Sequence, residues 1–188
     1  FGFFTANQAE AATLYFSPSS GNFTTGNIFT VNVLVNTESV AINNAEAVVN
    51  FPSGLLEIIS LSKSGSIFSL WVEEPTFSNN TGTLSFNGGL PTPGFNGASG
   101  KVLSVIFRVK RAGSATVVFS SPAVRANDGY GTNVLRTGIQ AIYNLVAAEE
   151  RPAISPTPVP EEPIVVAGFE ISSSTHPDQD KWYSNNDP

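Results

Sequence analysis

The 188-residue chain contains no cysteine, no methionine and a single histidine, His176. Without cysteine there is no disulfide, no thiolate nucleophile and no cysteine-based zinc site. One histidine removes most imidazole catalysis and metal ligation. The missing methionine is what a processed chain, rather than a full translation product, would show. Charge is scarce as well: Asp, Glu, Lys and Arg make up 13% of the residues, about half of the ~25% typical of soluble domains. Such a composition argues against coiled coils, charged helical bundles and nucleic-acid binders. No stretch reaches the ~18 consecutive apolar residues that a membrane-spanning helix needs.

The net charge of −6 is unevenly spread. Ala12 to Val146 holds six acidic and seven basic residues, so the body of the chain is near neutral. From Ala147 onward there are eight acids and two bases, so the acidity belongs to a tail. No field steers the body toward DNA, RNA or an anionic membrane.

What the chain has instead is 14 Phe, 13 Pro and 16 Gly among many Ser, Thr, Asn and Val, a strand-and-turn composition. Period-two patterning runs through the body. Phe29, Val31, Val33 and Val35 alternate with Thr30 and Asn32; Ala45, Ala47, Val49 and Phe51 alternate with Glu46, Val48 and Asn50. Lys101 to Lys110 is the cleanest case, with Leu103, Val105, Phe107 and Val109 expected inward and Ser104, Arg108 and Lys110 outward. Further strands are expected at 14–16, 55–61, 71–77, 83–86, 115–119, 122–126 and 139–146. Asn79-Asn80-Thr81-Gly82 marks a hairpin between two of them. The expectation is an all-β, antiparallel two-sheet jelly-roll sandwich of about nine strands, with no helical period interrupting it.

The flanks read differently. Residues 1–11 end in Ala9-Glu10-Ala11, a small-x-small pattern that fits the remnant of a secretory signal; an ordinary chain end is the alternative. After the sandwich at 12–148, residues 149–163 (EERPAISPTPVPEEP) form a Pro/Glu-rich spacer. Residues 164–188 open apolar and turn polar, and are too few to bury a core alone, so they are expected to begin a further, incomplete module.

Catalysis is hard to assemble. Glu73 and Glu74 are adjacent, so on a strand they point to opposite sides. Glu46 and Glu57 would need a tertiary arrangement to meet across a cleft, and a triad would have to borrow His176 from beyond the spacer. The chain is therefore expected not to be an enzyme and to need no cofactor. The run Asn127 to Asn133 has a weak resemblance to a calcium loop centred on Asp128, but one carboxylate gives little affinity, and a tight Asp-Gly turn is the better account. Trp71, Phe95 and Tyr130 are candidates for stacking on sugar rings, against the commoner fate of aromatics in a sandwich core. Asn22-Phe23-Thr24 and Asn79-Asn80-Thr81 match the N-glycosylation tripeptide, a match frequent by chance in such a chain.

Three segments carry a family resemblance. Ile42 to Ile59 (INNAEAVVNFPSGLLEII) resembles two successive strands of cohesin domains, the receptor modules of cellulosome scaffold proteins. Gly100 to Lys110 (GKVLSVIFRVK) is similar to a later cohesin strand, and Arg125-Ala126-Asn127-Asp128 to the segment near the last one. The likeness spans Ala12 to about Val146. It implies a nine-stranded jelly roll, related in fold to cellulose-binding modules, in a secreted or cell-surface bacterial protein of polysaccharide breakdown. It also implies a protein partner, the small calcium-loaded dockerin module, bound on an open sheet face. Family members use an Asn-x-Asp run there; Asn44 and Glu46 occupy those positions, with Glu in place of Asp, and Val48 and Asn50 continue the row. Polysaccharide binding by the same fold, and a structural spacer role in a surface adhesin, are the alternatives. The end of the chain, Lys181 to Pro188, loosely resembles the lead-in of repeated surface modules.

Overall fold

The computed structural model describes residues 12–149. They form eleven strands in chain order: β1 (Ala12–Ser17), β2 (Ser20–Thr24), β3 (Ile28–Asn36), β4 (Ile42–Asn50), β5 (Leu56–Ser62), β6 (Leu70–Ser78), β7 (Thr83–Gly89), β8 (Gly100–Val109), β9 (Gly113–Ala126), β10 (Leu135–Gly138) and β11 (Ala141–Val146). A five-stranded sheet in the order β10-β1-β3-β8-β5 packs on a six-stranded sheet in the order β2-β11-β9-β4-β7-β6. The expected signal remnant, spacer and second module fall outside the described residues.

The alternation seen in the sequence is the alternation of burial. Phe29, Val31, Val33 and Val35 of β3 face Ala45, Ala47 and Val49 of β4 across the interior, and Leu103, Val105, Phe107 and Val109 of β8 are all buried. Rings fill one end: Phe23 stacks on Phe29 with centroids 3.8 Å apart, and Phe29 meets Tyr143 edge-on at 5.2 Å. Phe51 and Phe107 meet edge-on at 5.5 Å. Tyr143 is wholly buried, and its hydroxyl donates to the Pro18 carbonyl at 2.7 Å. That bond satisfies the one polar atom the ring carries inside. Ser104, expected outward, is also buried; its hydroxyl donates to Asn32 Oδ1 at 2.7 Å.

Three details differ from the sequence reading. The expected strands at 115–119 and 122–126 are one strand, β9, whose register against β4 shifts between Glu46 and Val48. Ser121 lies in that interruption with φ of 49°, and Pro122 follows it, so the bulge absorbs a residue that has no amide to donate. The sheets are mixed rather than purely antiparallel: β10 pairs with β1, and β2 with β11, both in parallel. Short polar β2 and β10 carry no strand pattern of their own and exist because those ladders recruit them. The first two strands are thus each laid along one of the last two, β1 beside β10 in the five-stranded sheet and β2 beside β11 in the six-stranded sheet.

The hairpin at 79–82 is present. Gly82 has φ of +68°, and a Cβ there would collide with the Phe51 carbonyl, so no other residue fits. It joins edge strand β6 to β7. Two register shifts, Pro75 and the exposed carboxylates of Glu73 and Glu74 make β6 a poor template for further strand pairing.

Candidate functional site

Strand β4 lies inside the six-stranded sheet, between β9 and β7, and turns Ile42, Ala45, Ala47 and Val49 to the core. Asn44, Glu46, Val48 and Asn50 therefore emerge together on the outer face, all partly exposed. Register across the sheet sets Asn44 beside Arg125 of β9 and Gly89 of β7, and Glu46 beside Ala123 and Asn87.

These neighbours build a polar relay. Arg125 donates from a terminal guanidinium nitrogen to Glu46 Oε1 at 2.7 Å, and Asn87 Nδ2 donates to Glu46 Oε2 at 2.8 Å. Asn44 Nδ2 then donates to Asn87 Oδ1 at 2.7 Å and to the Gly88 carbonyl at 2.9 Å. A carboxylate accepts only, so Glu46 dictates which end of the Asn87 amide faces it, and Asn87 in turn orients Asn44. Asn44 Oδ1 is left buried without a partner. A shallow pocket of about 140 Å³ opens beside the relay between Glu46, Val48, Glu73, Ser85, Asn87 and Ser121. The charges of Glu46 and Arg125 compensate each other at the centre of the face.

Sequence reasoning missed Asn87 and Arg125. Each is legible as outward by alternation, Asn87 with inward Leu84 and Phe86, and Arg125 with inward Val124 and Ala126. Only the pairing of β4 with both β7 and β9 brings them to Glu46.

The aromatic candidates lie on three separate segments. Trp71 sits on β6 opposite Gly88, where a Cβ would strike its ring, and it packs edge-on against buried Phe68 at 6.0 Å. Phe95 exchanges backbone hydrogen bonds with Ile42 and packs against the core; added Cβ atoms at Gly97 and Gly100 would meet its ring. Tyr130 alone is open to solvent, at 93% exposure, on the 127–133 loop.

That loop is organised by Asp128. Its carboxylate accepts the Tyr130 amide at 2.8 Å, the Gly131 amide at 3.0 Å and the Thr132 hydroxyl. These bonds, the Thr132 hydroxyl first and the Tyr130 amide next, hold the carboxyl below its ordinary pKa. The oxygens that a calcium ion would need are thus engaged within the turn.

The carboxylate pairs weighed for catalysis, Glu46 with Glu57 and Glu73 with Glu74, are held apart, while Glu46 and Glu73 line one pocket. Glu46 lies on the outer face of the six-stranded sheet, paired with Arg125; Glu57 lies on the five-stranded sheet, paired with Arg108 at 2.9 Å. Glu74 pairs with Lys63 at 2.6 Å, while Glu73 accepts the Ser85 hydroxyl at 3.1 Å. His176 is outside the described residues. Among the described residues no three metal-ligating side chains converge, and no helix is long and apolar enough to cross a membrane.

No family model matches the sequence, and no curated protein matches it. Solved structures do match. A non-cellulosomal cohesin from the archaeon Archaeoglobus fulgidus is 16% identical, with a TM-score of 0.58 over 74% of this chain and 94% of that one. The sixth cohesin of Acetivibrio cellulolyticus scaffoldin B, solved in complex with a Cel5 dockerin, is 20% identical, with a TM-score of 0.56 over 72% and 99%. The cohesin CaCohA2 from Clostridium acetobutylicum is 11% identical, with a TM-score of 0.57 over 73% and 92%. With two sheets, no helix among the described residues and near-complete coverage of these domains, residues 12–149 have the cohesin fold.

Proposed function

We propose that residues 12–148 are a non-catalytic, extracellular or cell-surface binding module that engages a protein partner of dockerin type through the outer face of the six-stranded sheet. The observation that carries this reading is the hydrogen-bonded row Arg125–Glu46–Asn87–Asn44 on the open face of a fold whose solved examples include complexes with dockerins. The row is polar, partly exposed and internally charge-compensated, as suits a wet protein interface. Two of the three rings a sugar platform would use, Trp71 and Phe95, are packed on the core, which sets the polysaccharide reading second. The spacer at 149–163 and the opening of a further module at 164–188 fit a beaded surface polypeptide, and Ala9-Glu10-Ala11 fits a secreted one.

The test is titration of the chain and of an Asn44→Ala, Glu46→Ala double variant with a panel of dockerin modules, beside pull-down on cellulose and chitin. The double variant should lose ~2 kcal/mol or more of dockerin affinity if the pair is a hot spot. Its stability should fall by about 1–3 kcal/mol, because the Arg125–Glu46 pair and the amide bonds of Asn44 and Asn87 go with it on a partly exposed face. Retention on polysaccharide that survives the double substitution and fails on Trp71→Ala would transfer the assignment to sugar binding.

A further inference from the structure

Arg125 does two things at once. One terminal nitrogen holds Glu46 Oε1 at 2.7 Å on the sheet face; the other donates to the Gly131 carbonyl at 3.3 Å in the 127–133 loop. The loop is tied down at further points. Ala126 N–H donates to the Thr132 carbonyl at 2.9 Å, Asn127 N–H to the Ala41 carbonyl at 2.8 Å, and the Thr92 hydroxyl to Asn127 Oδ1 at 3.2 Å. Asp128 gathers the amides of Tyr130 and Gly131 from inside. A segment of so few residues with this many bonds is pre-organised, and what it presents is the ring of Tyr130, 93% exposed. An intramolecular role does not explain that ring. It contributes nothing to the core, and on a backbone already held in place a tyrosine has only its two side-chain torsions to fix on binding.

We propose that the partner surface extends from the Asn44–Glu46 row across Arg125 to Tyr130. Tyr130 is its apolar anchor, and Arg125 is the positioning residue that holds loop and sheet face as one unit. This deepens the protein-binding reading and rests on it. The partner it fits is a folded protein with a pocket for one phenol ring beside a polar, hydrogen-bonding patch. The sheet-face half of the surface offers it the Arg125–Glu46 ion pair and amides, with the Glu73 carboxylate, bonded to the Ser85 hydroxyl, beside them. An extended polysaccharide would need a row of rings, and this surface supplies one.

The experiment uses the full 188-residue chain and the same dockerin panel. Tyr130→Ala should weaken binding by about tenfold or more with an unchanged melting temperature. Arg125→Lys keeps a cation for Glu46 but cannot reach both acceptors, because its single ammonium lacks the planar fork. It should weaken binding several-fold in the wild-type background and much less when Tyr130 is already Ala. Amide exchange at Tyr130, Gly131 and Thr132 should quicken in Arg125→Lys while the core amides stay protected. Wild-type binding that is unaltered by Tyr130→Ala, but lost in the Asn44, Glu46 double variant, overturns this inference and leaves the protein-binding reading standing. Equal Arg125→Lys losses in both backgrounds overturn the positioning role. Failure of the wild-type chain to bind any dockerin overturns the underlying reading, and this inference with it.

Discussion

Asn79 lends both ends of its side-chain amide to the backbone of Ile58: Oδ1 accepts the Ile58 N–H at 2.8 Å, and Nδ2 donates to the Ile58 carbonyl at 2.9 Å. Ile58 lies on β5, the edge of the five-stranded sheet, and Asn79 sits in the hairpin that ends edge strand β6 of the other sheet. The side chain imitates a neighbouring strand and stitches the two sheets together. It also occupies the amide of the second N-glycosylation tripeptide. Asn79→Ala should cost about 2–3 kcal/mol, since two hydrogen bonds are lost and the Ile58 groups are left without partners. Urea melts would measure it, and a cost within the noise of exposed-surface variants would show that the stitch carries no stability.

The β8 register makes a second expectation. Phe107 is buried between Phe29 and Phe51, so Phe107→Ala should cost about 3–5 kcal/mol by leaving a cavity. Arg108, its neighbour, pairs with Glu57 on the outer face with nearly half of its side chain exposed, and Arg108→Ala should cost less than about 1 kcal/mol. The reverse order in denaturant melts would mean that the strand is displaced by one residue.

Burial pushes the Tyr143 phenol above its ordinary value of 10.0. Folding therefore favours the neutral ring. The stability this contributes is complete below the unfolded-state value near 10 and declines as the pH rises beyond it toward the raised folded value. The wild-type domain should weaken above about pH 10, and Tyr143→Phe should show a shallower alkaline decline while losing about 1 kcal/mol at neutral pH with the Pro18 hydrogen bond. Melting curves across pH for both proteins check the difference in slope.

Asp128 acts in the opposite sense. Its carboxyl is held below the usual aspartate value, so its support of the loop is complete above the unfolded value and is lost as the pH falls through the lowered folded one. The Tyr130 and Gly131 amide resonances should titrate together at acid pH. In Asp128→Asn they should show no such titration. Independent titration midpoints for the two amides would contradict a shared carboxylate.

The spacer reading predicts that limited proteolysis leaves a stable fragment ending near Ala147 to Arg151, because a Pro-rich, acidic stretch has no core to protect it. Protection extending through Trp182 would move that boundary.

Much of this protein is written locally. Two-residue alternation in β3, β4 and β8 determines which side chains face the core, because pleating alone sends neighbours to opposite sides. Gly82 and the Asn-rich turn before it determine a hairpin, since only glycine tolerates that backbone and that approach to Phe51. The outward row Asn44, Glu46, Val48 and Asn50 follows from the same alternation. What sequence could not decide is anything set by a partner far along the chain. The parallel ladders that create β2 and β10 join residues more than a hundred positions apart, and nothing local to those short polar segments encodes them. The union of the strands around Ser121 into β9 needs β4 as a template on both sides of the bulge. The relay is the clearest case: Glu46 meets Asn87 from 41 residues away and Arg125 from 79, because sheet order, not spacing, makes them neighbours. Hydrogen-bond direction within the relay is then decided by a carboxylate that can only accept, a constraint that exists once the three strands have come together.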